Sequence, residues 1–431
     1  MITRLLASQR RQAVLVGAVA VLAALAASAA TGRFGSLDRW EYSIIADHIL
    51  AGDGAYYDYM GIRYYFYGPP LYPLLLAGVV GLTGSEVVVL VLQACILAGT
   101  ATILHTVAWR LWDPRVALLG GLLVALHPPS LIYAGQLHSQ TLDVFVIAAA
   151  FLLWLGIHAA SIGRAFATGI ALAGAVLSRG TMGPVVLAWG LRFVWRCRRD
   201  WRRATTVGVA VAAGGALVVL PLIVRGYRLY GEWTPLRTDA GVNLWYGNHD
   251  GSTGTAYSGD PVPVPVTTHL TTEDRRIVAG MNEIEQNEYF TARVRRWIES
   301  NPGTAATLFV NKLRFYWWTS PHTGLHYPAA WTRVYLVYYS VVLALGIFGL
   351  WRAMRAAPLS REAARLFIVM AVCASVTQAA FYVEGRHRWQ LEPMLLLFTA
   401  YGAVTLARRS AERRRSDGGS FRPRVQVTSS S

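Results

Sequence analysis

The sequence predicts an all-α polytopic membrane protein with about ten transmembrane helices, since each crossing of the hydrocarbon core takes ~20 mostly apolar residues. Three observations carry this. Of 431 residues, 54% are hydrophobic and only 15% charged, with a mean hydropathy of +0.37, a composition foreign to ordinary soluble domains. Apolar runs of suitable length recur along the chain. The basic residues divide unevenly between the two sides that those runs define.

The runs fall at about 12–31, 86–109, 116–134, 141–158, 164–178, 181–195, 204–225, 331–351, 363–383 and 390–407. The first follows Arg4, Arg10 and Arg11 and is longer than the apolar part of a signal peptide, so it reads as an uncleaved helix. The fifth and sixth are short and separated by "SRGTMG", as for a pair meeting near one membrane face. A further run, "PPLYPLLLAGVVGLTG" (69–84), is too short to cross. Its prolines predict a re-entrant or interfacial helix.

Alternating through ten spans from a cytoplasmic N-terminus gives the cytoplasmic segments 23 arginines against 5 acidic residues, and the other side 17 basic against 19 acidic. That skew is the positive-inside pattern. It places both termini in the cytoplasm, in a bacterial inner or plasma membrane. The net charge of +16 is therefore a topology signal with scope for anionic-lipid contact, and it gives no reason to expect a nucleic-acid partner. Cys95, Cys197 and Cys373 lie in or beside apolar runs without CxxC spacing and read as small core residues.

Four regions follow: an N-terminal transmembrane module (1–225) containing a first extracytoplasmic loop (32–85), an extracytoplasmic region (226–330), C-terminal transmembrane helices (331–408), and a basic, disordered cytoplasmic tail (409–431). Within 226–330, "TTED" predicts the start of a helix running to about Glu299, and "SNPGTAATLFVNKLRFYWW" (300–318) a helix along the interface, opened by Pro302. Trp317 and Trp318 suit an aromatic belt anchor, and no internal repeat is evident.

The candidate site residues gather on the extracytoplasmic side. Asp38 and Glu41, three apart, would share a helix face just past the first span. Arg179 interrupts two barely sufficient spans, where an ionisable group costs ~2.5–3.5 kcal/mol at the helix centre and reads as functional or as snorkelling. "EGRHRW" (384–389) sets Arg386 and Arg388 around His387, a layout suited to phosphate oxygens. An outer carboxylate facing arginines at headgroup depth suits a lipid-anchored phosphate sugar. "GVNLWYGNHDGSTG" (241–254), with Asn243 and Asn248, suits sugar binding or a structural turn, and Lys312 could help form a donor entrance. A divalent cation held through water by Asp38 and Glu41 is compatible with the pair and not required. His127, His138, His249, His322 and His326 are scattered, and "HTGLH" lacks the glutamate of a zinc motif.

Several segments together resemble the GT-C-type membrane glycosyltransferases, in the branch of protein O-mannosyltransferases and the lipid A aminoarabinose transferase. They are "LDRWEYSIIADHILAGDGAYYD", "YGPPLYPLLLAGVVGLTG", "VLSRGTMG", "GVNLWYGNHDGSTG", "NPGTAATLFVNKLRFYWW" and "RHRWQLEPMLLLFTAYG", running from about residue 36 to 403. The resemblance implies a helical bundle with loop helices packed on its outer end. It also implies transfer of a sugar from a polyprenyl phosphate to an extracytoplasmic protein, lipid or glycan, with Asp38 at the family's catalytic aspartate. Three positions depart from the pattern. Arg39 stands where a second acid is frequent, Ser139-Gln140 replaces Ser-Glu with Asp143 one turn on, and Gly68 replaces the lysine before Pro69-Pro70 that marks aminoarabinose transfer. The implied chemistry is an inverting single displacement, with Asp38 as base and Arg179, Arg386 and Arg388 stabilising the leaving phosphate. A lipid-linked-sugar flippase and a polysaccharide polymerase or ligase are the alternatives.

Overall fold

The structure is a computed structural model that describes residues 8–234, 236–258, 264–320 and 328–418. The chain is an integral membrane protein built of helices, with two short antiparallel hairpins, Tyr57–Tyr59 with Ile62–Tyr64 and Tyr257–Ser258 with Val264–Pro265. Among the described residues five helices are long and apolar enough to cross a membrane: α1 (Gln9–Ala30), α4 (Val87–Leu111), α10 (Trp201–Tyr230), α15 (Ala329–Ala353) and α16 (Pro358–Ala380). A sixth span is possible if α5 (Pro114–Ala125) and α6 (Pro128–Ala134), bent by 47°, count as one. The break has a local cause, because Pro128 and Pro129 cannot continue a helix entering from His127, whose own backbone is extended.

Three apolar helices are shorter than a span: α3 (Leu71–Thr83), α7 (Gln140–Trp154) and α8 (Ile162–Ser178). Ten independent crossings are thus not what length and composition give. The expected spans at 141–158 and 164–178 are these short helices, joined through a single 3-10 turn at Ile157–Ala159. The run at 69–84 forms α3, entered from Pro70 and closed by Gly84 at φ 67°.

The remaining helices of the bundle are α9 (Met182–Arg196) and α17 (Glu392–Gly418). Small residues let the long helices approach closely. A Cβ on Gly169 of α8 would lie 1.9 Å from the Val211 carbonyl of α10, and one on Gly349 of α15 would lie 1.8 Å from the Phe398 carbonyl of α17. The core between them is aliphatic and aromatic, with Leu104, Ile147, Phe151, Trp189, Met370, Leu396 and Phe398 all buried.

Two regions cap one end. The first loop folds as α2 (Glu41–Ala51), the Tyr57–Tyr64 hairpin and α3, with Tyr42 and Ala46 of α2 packed on Tyr72, Leu76 and Ala77. In the second, α11 (Ala240–Tyr246) packs on α13 (Glu283–Ser300) through Val242, Trp245, Phe290 and Val294. The helix expected from "TTED" to Glu299 is two helices. α12 (Thr272–Ala279) carries the Thr271–Asp274 capping box, and a new cap at Asn282 starts α13 after Gly280. α14 (Pro302–Trp317) does begin at Pro302, but it packs against α16, where the Trp317 indole donates to the Ser375 hydroxyl at 2.8 Å.

The two caps are tied by one buried carboxylate. Glu283, at the start of α13, accepts from the backbone N–H of Tyr65 (3.0 Å) and Phe66 (3.1 Å) and from the hydroxyls of Tyr230 and Thr238. A buried charge with this many donors is stable where an unpaired one would not be.

Candidate active site

Where the second cap meets the bundle lies a cavity of about 430 Å³ lined by Arg179, Arg237, Asp239, Asn243, Tyr382 and His387, among others. Its walls come from segments distant in sequence, so it is built one element at a time. Helix α8 ends at Ser178, and Arg179 follows in an extended conformation that turns its side chain back towards α7. There its Nε donates to Asp143 at 2.8 Å and its Nη2 to the Gln140 side chain at 2.6 Å. Asp143 is buried and also accepts from Ser139 at 3.0 Å. Ser139, Gln140 and Asp143, the stretch that departs from the family pattern, are therefore the clamp that orients Arg179.

Arg237 and Asp239 precede α11 and form a bidentate pair at 3.1 and 2.6 Å, the Asn243 amide donating to the same carboxylate at 3.0 Å. A guanidinium held this way is fixed in plane as well as in charge. Arg179 and Arg237 both keep Nη1 without a hydrogen-bond partner among the described residues, and both line the cavity.

The 384–389 segment supplies the third cation. Arg386 Nε pairs with buried Glu384 at 2.8 Å, its side chain is 19% exposed, and its neighbour His387 lines the cavity. His387 and His138 are both held well below the ordinary histidine range, first by burial and then by the charge of Arg386. His387 is therefore a neutral wall residue at pH 7, not a third cation. Arg388 also corrects the expectation. It is 3% exposed and points away, donating from Nε to Glu392 at 2.6 Å and from Nη1 to the carbonyls of Tyr316 (2.9 Å) and Trp318 (3.1 Å). His127 closes that network on the far oxygen of Glu392 at 3.2 Å.

The two first-loop carboxylates part company. Asp38 lies before α2, half exposed, with Arg33 at 2.5 Å. Glu41 opens α2 without an ion-pair partner among the described residues, partly buried and near Arg386 and Asp239. Burial pushes its carboxyl above the usual range. Its own backbone N–H and Arg386 pull the other way, and Asp239 adds to the rise. Among the described residues no group of three or more His, Cys, Asp or Glu side chains is placed to hold a metal ion, and Asp38 is taken by Arg33.

Lys312 and Asn248 are structural. Lys312 is fully buried and donates to the carbonyls of Gly247 (3.2 Å) and Phe381 (2.8 Å) and to the Asn248 side chain (2.8 Å). Asn248 donates in turn to Leu244 and Ala380. Gly247 sits so close to the chain after α16 that a Cβ would fall 2.1 Å from the Phe381 carbonyl. These contacts fix the backbone of Phe381 beside Tyr382, both wall residues, while Lys312 and Asn248 themselves do not line the cavity. His322 and His326 lie outside the described residues. Arg237, Asp239 and Glu384 were not singled out from the sequence. The nearest signal was "RTDAG", an acid just before a short helix, which is common at any helix start.

Residues 67–224 match the family model described as dolichyl-phosphate-mannose-protein mannosyltransferase. No curated protein matches the sequence. Among solved structures, the Archaeoglobus fulgidus oligosaccharyltransferase in its apo form is 12% identical, with 94% of this chain on 52% of that one and a TM-score of 0.57. The oligosaccharyltransferase AglB of the same organism, with an inhibitory peptide and a dolichol-phosphate, is 14% identical over 95% of this chain and 52% of that one, TM-score 0.52. The fold is shared with these archaeal oligosaccharyltransferase structures. ArnT from Cupriavidus metallidurans, bound to undecaprenyl phosphate, is 17% identical over 90% of this chain and 77% of that one, at a TM-score of 0.38. The chain spans about half the length of these archaeal structures.

Proposed function

We propose that this protein transfers a sugar from a polyprenyl monophosphate donor to an acceptor hydroxyl on the extracytoplasmic side of the membrane. One observation carries the reading: Arg179 and Arg237, each locked by a carboxylate, line one cavity with Asp239, and near Asp239 lies an acid without an ion-pair partner among the described residues, Glu41. The family match and the likeness to a structure holding dolichol-phosphate support the donor class.

The chemistry follows from the charges. Polyprenyl phosphate leaves as a stable anion, so the guanidiniums of Arg179, Arg237 and Arg386 stabilise charge as it develops, an effect worth several kcal/mol in a site closed to water. Because each is already oriented, little reorganisation accompanies the step. The attacking hydroxyl has to lose a proton. A carboxylate whose affinity for protons is raised by burial is a better base than an exposed one, and on the geometry that carboxylate is Glu41. Asp38, the residue implied by resemblance, serves at the rim through Arg33. One direct displacement inverts the anomeric carbon. The arginines paired with the most deeply buried acids, Asp143, Asp239, Glu384 and Glu392, collect at the cavity end, and a large aliphatic and aromatic core packs the bundle, which favours surface chemistry over passage of a polar cargo.

The test uses purified protein and a panel of radiolabelled polyprenyl monophosphate sugars, with transfer to acceptors in membranes as the readout. Wild type should transfer one of them, Glu41→Gln should lose transfer at least a hundredfold, and Asp38→Asn should lose less. If Asp38→Asn is the variant that abolishes transfer, Glu41 is not the base. If no labelled donor is bound or consumed, the functional reading is wrong.

A further inference from the structure

Beside Glu41 the first loop presents an unusual concentration of tyrosine. Tyr57 and Tyr67 have ring centroids 4.7 Å apart, Tyr59 lies 6.0 Å from Tyr57 and 5.5 Å from Tyr67, and all three are partly exposed. The row continues across the two caps. The Tyr59 hydroxyl is hydrogen-bonded to that of Tyr246 on α11, and Tyr246 lies 5.7 Å from Tyr382, which lines the cavity. One end of the row is near Glu41: after burial, that carboxylate's charge is the second cause raising the Tyr57 and Tyr67 phenols. A run of aromatic faces thus links the proposed base to the cavity wall.

Each acceptor class makes different demands. An extended peptide needs a row of unpaired backbone groups to pair with, and the hairpin here has strands of only three residues, already paired to each other. A phosphorylated lipid headgroup needs cations along its path, but the one arginine on this hairpin, Arg63, is paired with Asp58 at 3.0 Å and stacked over Tyr56. A saccharide needs flat aromatic faces for the C–H side of its ring and polar tips for its hydroxyls. Tyrosine supplies both in one side chain, with little conformational entropy to lose.

We infer that the row of Tyr57, Tyr59, Tyr67, Tyr246 and Tyr382 is the acceptor subsite and that the acceptor is a glycan, one terminal ring lying on the tyrosines with a hydroxyl at Glu41. This rests on the glycosyl-transfer reading above. The hydroxyl oxygen forms a bond to the donor's anomeric carbon as its proton passes to the Glu41 carboxylate. The bond from that carbon to the phosphate oxygen breaks, and its electron pair leaves with polyprenyl phosphate.

Two measurements test this separately from the donor chemistry. Saturation-transfer NMR on protein in nanodiscs, with methyl glycosides and short oligosaccharides of mannose, glucose, galactose and arabinose as probes, should show binding by at least one. Tyr57→Leu should weaken that binding about tenfold or more, with Tyr57→Phe recovering most of the loss. Binding by none, or binding that Tyr57→Leu leaves untouched, overturns the proposal. In transfer assays the label should reach the saccharide in preference to a serine- and threonine-rich peptide or phospholipid vesicles, with the Tyr57→Leu defect in KM more than in kcat. Label reaching the peptide or lipid instead also overturns it. Failure of every donor would sink the transferase reading, whereas saccharide binding is read without any donor.

Discussion

At the end of the bundle away from the cavity, Arg192 and Arg196 share Glu362, and Arg408 reaches Asp113 with half its side chain exposed. Arg198, Arg202 and Arg355 there lie over Trp195, Trp201 and Trp351. At the cavity end, Arg179, Arg237, Arg386 and Arg388 each hold a carboxylate that is at most 6% exposed. Helix α9 alone carries the chain from one regime to the other, from just after Arg179 to Arg196. The residue is the same and the physics is not. Solvated arginine beside an interfacial tryptophan orients the protein in the bilayer, while arginine locked by a buried acid is a preorganised charge. A count of basic residues sees only the first of these.

The comparison can be broken by removing arginines at each end. The largest effect is expected for Arg388→Ala, which strands Glu392 in a closed network. Loss of one partner of a buried pair costs ~3–5 kcal/mol, visible as a much lower unfolding temperature in detergent. Next is Arg179→Ala. Its side chain is 20% exposed towards the cavity, so stability should fall less, while transfer falls by roughly a hundredfold or more. Arg179→Lys should recover only part of this, since lysine cannot hold Asp143 and Gln140 in one plane.

A smaller, pH-dependent effect belongs to Lys312. Burial lowers its ammonium to about 7 from the ordinary 10.5, and all its acceptors are neutral. Between about 7 and 10.5 the unfolded chain binds the extra proton, so stability should rise with pH across that window, by at most ~1.4 kcal/mol per unit. From pH 6.5 to 9 the unfolding temperature of wild type should rise relative to that of Lys312→Met, which lacks this slope. The smallest effect is Arg408→Ala, whose exposed pair with Asp113 should be worth under ~1 kcal/mol. A loss comparable to that of Arg388 would erase the distinction between the two ends.

Much of this was legible in advance. The helical membrane class, the helix opened by Pro302, the short helix after Pro69-Pro70 and the choice of Arg179, which the structure places in the cavity wall, follow from local hydropathy, proline chemistry and the cost of a charge near apolar sequence. The misreadings share a cause. "RHR" gives no sign that Arg386 pairs back to Glu384 while Arg388 turns inward to Glu392, because a 3-10 turn at Gly385–His387 sets their directions. Asn248 and Lys312 are polar residues in a glycine- and aromatic-rich context, which fits a sugar site as well as a buried tie.

The sequence by itself determined that this chain enters a membrane, where it is greasy and where it is basic, because hydrophobic transfer and positive-inside asymmetry act on neighbouring residues. Only the tertiary structure decided which charges are spent on each other. Asp143 meets Arg179 across 36 residues, and Glu41 faces Arg386 from the far side of the chain, since pairing in a poorly solvated cavity depends on distances that the folding of every intervening helix must set.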